Sequence, residues 1–190
     1  FADVVTDLGA DTAPAEIPVF AGGFAAAEAE LLLHVRASHH GPPPASNDEA
    51  KALVDQVRLG MEVASSPYPG INDDGPCVTV SDFGNNGGLV MGAPLAGWQD
   101  ADLCAIAVTT EIDGEVVGRA TAATMLDGPY GAVRFLLANL AERGVDCSGG
   151  LWVSTGAITG VHEIRIGQTA KAIFGDHGTV ACRIIAATPQ

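Results

Sequence analysis

Residues 25–34 read AAAEAELLLH, and the fold of this chain depends on whether that stretch is a strand or a helix. In a strand, side chains two residues apart project to the same face, so Glu28 and Glu30 would aim two carboxylates at one point roughly 7 Å wide. In a helix, neighbours on one face are three or four residues apart, and the two side chains would diverge. A metal site at this pair therefore requires an extended segment.

The helical alternative has support from composition. Ala, Glu and Leu are strong helix formers, and a solvated helix face is the commoner fate of an E-x-E pair in an acidic chain. Against it, polar residues alternate with apolar ones along residues 24–35. Composition alone favours the helix. A third acidic residue, Glu62, at the start of GMEVASSPYPGINDDGPCVTVSDFGNNGGLVMG (residues 60–92), together with the rest of the chain, shifts the balance toward a strand and a site of three carboxylates.

Length and charge limit the function classes. With 190 residues, of which 47% are hydrophobic, the chain suits one well-filled core, so we expect residues 1–190 to form a single domain. The net charge is −14 and only two residues are lysines, which argues against nucleic acid or an anionic membrane as a partner. Because no apolar run reaches the roughly 20 residues of a membrane span, we expect a soluble, cytoplasmic protein.

The four cysteines, Cys77, Cys104, Cys147 and Cys182, are widely spaced and form no C-x-x-C pair. Three of them lie in apolar, strand-like segments, which favours buried free thiols in a reducing compartment. Export with two disulfides is the alternative.

Local patterns predict a strand-rich chain with two helices. A capping box at Ser46 and Glu49 begins a helix that the apolar spacing carries to a glycine stop at Gly60, and a second helix runs from Pro129 to Arg143-Gly144. Asp113-Gly114 is the centre of a predicted hairpin.

The remaining predicted elements are an edge strand at residues 17–20 and strands at 77–83, 89–92, 151–155, 161–166 and 178–186. His39-His40, next to a proline run, is interpreted as a solvated loop. Many short strands with two helices predict an α+β, strand-rich domain, a twisted sheet roll rather than a doubly wound parallel sheet.

Six segments in order resemble the 2-keto-4-pentenoate hydratase branch of the fumarylacetoacetate hydrolase superfamily, from about residue 16 onward. They are EAELLLHV, GMEVASSP, VSDFGNNGGLVMG, the Asp-Gly hairpin, PYGAVRFLLANLAERG, and STGAITG followed by GQTAKAIFGDHGTVACRI. The resemblance implies a mixed β-sandwich roll with two short flanking helices. It also implies homo-oligomeric assembly.

The resemblance further implies that Glu28, Glu30 and Glu62 bind Mg²⁺ or Mn²⁺, since glutamate at the third position is similar to the hydratases and decarboxylases of the superfamily. Carboxylates are the hard oxygen ligands that these ions accept, and a 2-oxo acid can chelate at the remaining positions. The metal would then stabilise enolate charge at the keto oxygen.

Loops of the family that approach the substrate imply substrate contacts from Asp82 and Asn85 in the GNNGG region and from Thr155 and Thr159 in STGAITG. The alternative for these residues is ordinary turn chemistry. The family also carries an upstream lysine and an acidic residue for substrate binding and proton transfer, and neither has a counterpart here. No catalytic acid or base is therefore assigned within residues 1–190.

The favoured function is a metal-dependent hydratase that acts on a 2-hydroxy-dienoic acid in aromatic compound catabolism. The alternatives are a 2-oxo acid decarboxylase, an acylpyruvate hydrolase, or a non-catalytic protein that binds a metal and a 2-oxo acid.

Overall fold

A computed structural model describes residues 3–6, 13–37 and 41–188, and predictions for the remaining positions, including His39-His40 and part of the first 23 residues, lie outside it. Two sheets and three α-helices make up the described chain. The strands are β1 (Asp3–Thr6), β2 (Ala15–Val19), β3 (Phe24–Val35), β4 (Val54–Ser66), β5 (Asn86–Pro94), β6 (Ala107–Ile112), β7 (Glu115–Thr121), β8 (Leu151–Ser154), β9 (His162–Glu163), β10 (Thr169–Phe174) and β11 (Thr179–Ala186). The helices are α1 (Asn47–Leu53), α2 (Pro76–Ser81) and α3 (Gly128–Glu142).

The strands form two mixed sheets. The first sheet has the order β1-β5-β4-β3-β8, with β9 also paired to β3, and the second has the order β2-β11-β10-β6-β7. The parallel pairs are β1 with β5 and β2 with β11. This strand-rich α+β arrangement confirms the predicted fold class, and the predicted edge strand at residues 17–20 corresponds to β2.

The main core lies between the two sheets. Alternate residues of β3 and β4, such as Leu31, Leu33 and Leu59, pack in one cluster with Phe174 and Val180 of the second sheet. The other face of β3 and β4 therefore points away from this core, as the period of two in a strand requires. We call it the outer face, and it carries Glu28, Glu30 and Glu62.

The stretch that decides the fold is extended. Residues 24–35 form the strand β3, which pairs antiparallel with β4 from Phe24 opposite Ser66 onward. The helical alternative for this segment is wrong. The strand β3 is paired with β4 along one edge and with β8 and β9 along the other, and seven of its side chains are fully buried. Tertiary pairing outweighs the helix propensity of Ala, Glu and Leu.

The first predicted helix is shorter than the sequence suggested. The hydroxyl of Ser46 accepts the Glu49 N–H as expected of a capping residue, but α1 ends at Leu53 and the next residue, Val54, is already extended. The predicted stop at Gly60 is wrong, since Gly60 lies within β4. Its apolar neighbours have strand spacing as well as helical spacing, and pairing with β3 selects the strand.

Residues 77–83 were predicted as a strand, and this is wrong. They belong to the short helix α2 and a following 3₁₀ turn. Pro76 occupies the start of α2, where its missing N–H costs nothing, and the segment lies outside both sheets. Without a strand partner, the β-branched residues do not set the conformation.

From β6 onward, the predicted elements agree better with the observed ones. The Asp113-Gly114 hairpin joins β6 and β7, and the helix predicted from Pro129 is α3, fifteen residues long. The predicted strand at 161–166 shrinks to the two residues of β9, and β10 was not predicted as a separate strand.

All four cysteines are free thiols, so the disulfide alternative is not adopted. Only Cys182 is buried and Cys77 is exposed, which makes the prediction of buried thiols correct for one residue. Among the described residues, none of the helices has the length and apolar character that crossing a membrane would need.

Candidate metal centre

Three glutamates converge on the outer face of the first sheet. One carboxylate oxygen from each of Glu28, Glu30 and Glu62 lies within 4.8 Å of the others. Glu28 stands directly opposite Glu62 across the β3–β4 pair, and Glu30 stands opposite Gly60. The sequence pattern predicted this convergence from the i, i+2 spacing, and the register of the two strands supplies the third member.

Glu30 is the most enclosed of the three, with 1% of its surface exposed. Its Oε2 accepts hydrogen bonds from the Ser154 hydroxyl and, at 2.9 Å, from the Gly156 N–H. Both donors come from β8 and the turn that follows it. Glu30 also shares a side-chain hydrogen bond with Glu62. Because two fixed donors hold its Oε2 atom, the Glu30 carboxylate is held in one orientation beside Glu62.

The three carboxylates shift each other's titration. Burial, then the charge of Glu30, raises the pKa of Glu28 to about 7. Burial, followed by the charges of Glu30 and Glu28, raises the pKa of Glu62 to about 8. Burial also raises the pKa of Glu30, although its bonds to Ser154 and Gly156 act in the opposite direction.

This donor set fits a hard divalent cation. The three side chains offer carboxylate oxygens at mutual distances that one ion can bridge, and none of them forms an ion pair with a lysine or arginine of the described chain. Buried like charges without a counterion are unfavourable, and a cation would remove the repulsion. Glu28, Glu30 and Glu62 are the residues that would hold it.

Two of the predicted substrate residues, Thr155 and Thr159, are engaged in structural contacts. Thr155 is 3% exposed, and its hydroxyl accepts the Leu31 N–H at 3.2 Å, so the side chain is bonded to the backbone of the strand that carries Glu30. The Thr159 hydroxyl lies 2.7 Å from that of Thr110 and 3.1 Å from His162 Nε2. Substrate contact by either residue stays a prediction.

The other two, Asp82 and Asn85, lie where α2 meets the 3₁₀ turn. Asn85 has a positive φ of 50° and donates to the side-chain oxygen of Asn72 at 3.2 Å. The Oδ2 atom of Asp82 is buried without a hydrogen-bond partner in the described chain. Their role in substrate binding is likewise a prediction.

Sequence reasoning missed Ser154 and the Gly156 amide, although both belong to the STGAITG segment. It also missed an apolar cluster next to the glutamates, formed by Leu32, Leu89 and Met91 with Trp152 packed against them. Alternation along β3 places Leu32 on the same face as Glu30, so this cluster could have been inferred in part from the spacing.

The curated proteins that this chain resembles include 4-oxalocrotonate decarboxylases. No family model matches the chain. Over 158 residues, 83% of this chain, it is 31% identical to 4-oxalocrotonate decarboxylase of Pseudomonas putida, and this match covers 59% of the relative. The chain thus spans less than two thirds of the length of that curated relative.

The solved structures that this chain resembles also include a 4-oxalocrotonate decarboxylase. The 4-oxalocrotonate decarboxylase of Pseudomonas putida G7, complexed with magnesium and adipate, matches with a TM-score of 0.81 and 27% identity over 96% of this chain and 66% of that chain. Fumarylpyruvate hydrolase from Pseudomonas aeruginosa, in complex with Mn²⁺ and pyruvate, shares the fold at a TM-score of 0.70 and 16% identity, over 97% of this chain and 75% of that one.

These relatives support the decarboxylase alternative better than the hydratase that the sequence interpretation favoured. These relatives are decarboxylases and a hydrolase, so they support membership of an enzyme family with both activities. They do not support the specific hydro-lyase activity. On the combined evidence of sequence, fold and strand topology, the chain belongs to the fumarylacetoacetate hydrolase superfamily, in the branch of its hydratases and decarboxylases.

Proposed function

We propose that this chain carries the metal centre of a metal-dependent decarboxylase that acts on a 2-oxo dicarboxylic acid. The observation that carries the proposal is the convergence of Glu28, Glu30 and Glu62 within 4.8 Å on the outer face. The 31% identity to a 4-oxalocrotonate decarboxylase supports decarboxylation over hydration as the reaction.

The proposed reaction breaks the carbon–carbon bond to the carboxylate at the far end of a conjugated 2-oxo acid. Carbon dioxide leaves, and the electron pair of the broken bond passes along the conjugated chain to the keto oxygen, where a proton from solvent completes the enol. A divalent cation bound here would supply the Lewis acid for the oxygen that gains charge. Glu28, Glu30 and Glu62 would hold that cation, and Ser154 and Gly156 orient Glu30.

The adjacent cluster of Leu32, Leu89, Met91 and Trp152 gives the site an apolar floor on one side. In our proposal the hydrocarbon part of the substrate lies against this floor, with the 2-oxo acid end at the glutamates. Apolar surroundings favour loss of a carboxylate charge as CO₂, because the charged ground state is less well solvated there than the neutral product.

The test is release of CO₂ from 4-oxalocrotonate by the purified protein with Mg²⁺ or Mn²⁺, measured with and without a chelator. We expect metal-dependent release that falls by at least about 100-fold in Glu30→Gln, because a ligand with fixed hydrogen bonds is lost. The matched control is Glu163→Gln, an exposed glutamate on the short strand β9.

If neither the chelator nor Glu30→Gln lowers the rate of CO₂ release, the proposal is contradicted. Metal-dependent consumption of 2-hydroxypenta-2,4-dienoate without CO₂ release from 4-oxalocrotonate would instead favour the hydratase.

A further inference from the structure

Arg58 lies on the outer face of β4, is half-buried, and has one unsatisfied guanidinium nitrogen. Its Nε atom is buried and has no hydrogen-bond partner in the described chain. No ion pair joins it to any described carboxylate, and the neighbouring Asp55 is 2.6 Å from His34 Nδ1 instead. Because buried N–H groups are normally paired, an arginine left in this state is a candidate ligand-binding group.

The strand register places Arg58 in line with the glutamates. Arg58 stands opposite Leu32, Gly60 opposite Glu30, and Glu62 opposite Glu28, so three successive pairs share the outer face. Successive same-face pairs are about 7 Å apart along the strands. Arg58 is thus two such steps from Glu62, and its long side chain can reach across part of that separation.

The surface between the two ends of this line is apolar. Leu32 packs with Leu89 and Met91, and its side chain lies over Gly60, where an added Cβ would come within 2.5 Å of Leu32 Cγ. The outer face therefore carries, in order, three acidic side chains, an apolar stretch in which Leu32 is fully buried, and a cationic side chain. That order matches a ligand with an oxo-acid head, a hydrocarbon middle and an anionic tail.

Charge supports the same assignment. The metal end of this line consists of carboxylates, which do not attract the second carboxylate of a ligand. The strands β3, β4, β5 and β8 contain no lysine or arginine other than Arg58. Arginine also offers two parallel N–H donors in the geometry that a carboxylate accepts.

We propose that Arg58 binds the far carboxylate of a dicarboxylic substrate and so selects dicarboxylates over monocarboxylates. The proposal rests on the metal centre of the proposed function, which would hold the other end. Because the far carboxylate loses its charge when CO₂ leaves, an ion pair with Arg58 stabilises the bound substrate more than the transition state. Arg58 therefore contributes to KM rather than to kcat.

The binding test compares two ligands of equal chain length in the presence of Mg²⁺: 2-oxoadipate, which has a far carboxylate, and 2-oxohexanoate, which has none. By calorimetry we expect Arg58→Gln to weaken 2-oxoadipate binding by about 10- to 100-fold and 2-oxohexanoate binding by less than about 2-fold. Arg58→Lys should keep part of the preference. The matched control, Arg183→Gln on the exposed side of β11, should change neither.

The kinetic test is decarboxylation of 4-oxalocrotonate, for which Arg58→Gln should raise KM with kcat unchanged or higher. Equal loss of both ligands in Arg58→Gln, or no preference for 2-oxoadipate in the native protein, would overturn the role of Arg58. The native protein decides this second point even if Arg58→Gln does not fold. If the proposed metal centre itself is wrong, the result is different: the native protein would bind neither 2-oxoadipate nor 2-oxohexanoate in a metal-dependent way.

Discussion

Glu28 and Glu62 face each other directly across the antiparallel pair of β3 and β4, with Glu30 beside them and no cation from the described chain between them. Directly opposed like charges destabilise a strand pair, and burial increases the cost. The sheet therefore holds a repulsion that a bound cation offsets. The predictions on metal binding and pH follow from this relationship.

Mg²⁺ or Mn²⁺ should raise the melting temperature of the protein. A ligand that binds only the folded state stabilises it by about 2.7 kcal/mol at a concentration of 100 times Kd, and each kcal/mol is worth roughly 2–4 °C at this chain length. Differential scanning fluorimetry across millimolar metal measures the shift. It should be absent in Glu30→Gln and retained in Glu163→Gln; an unchanged melting temperature in the native protein would count against the site.

The metal-free protein should become less stable as the pH rises from about 4.5 to about 8. The folded-state pKa values of Glu28 and Glu62, about 7 and about 8, lie above the ordinary value of 4.5, so in this range the folded state binds more protons than the unfolded state. Their contribution is complete below pH 4.5 and is lost as the pH passes the folded values.

Urea unfolding with a chelator at several pH values measures this trend. Saturating Mg²⁺ should flatten it, and Glu28→Gln with Glu62→Gln should remove most of it. A stability that rises over the same range in the metal-free protein would contradict the assignment.

Ser154→Ala should weaken metal binding by about 10- to 100-fold without unfolding the protein, because the hydroxyl orients Glu30 and such supporting bonds typically contribute on that scale. Titration calorimetry with Mn²⁺ gives the affinity. Ser148→Ala is the matched control, since the Ser148 hydroxyl bonds to Asp146 instead. Equal effects of the two changes would show that Ser154 does not act through Glu30.

Gly60→Ala should destabilise the protein by about 1–3 kcal/mol, because the new Cβ would lie 2.5 Å from Leu32 Cγ and force the side chain out of its packing. Chemical denaturation measures the loss. The control is Gly149→Ala, where the added atom meets nothing within 4 Å.

Local sequence was sufficient for features whose cause is local. The Asp113-Gly114 turn, the Ser46 cap and the start of α3 at Gly128-Pro129 were predictable because turn residues and caps act on their immediate neighbours. Segments whose conformation depends on distant partners were predicted wrongly, although they carry a local signal. Residues 77–83 have strand propensity but no strand beside them, and Val54 follows a helix directly because β3 is there to pair with it.

The i, i+2 spacing of Glu28 and Glu30 determined that an extended chain would bring these two carboxylates together, since side chains alternate in any strand. Only the tertiary structure decided that the chain is extended there, by supplying β4 on one side and β8 and β9 on the other. The same pairing set the register that brings Glu62 to Glu28 and Ser154 to Glu30. It also aligned Arg58 with them, because long-range pairing fixes which distant residues share a face.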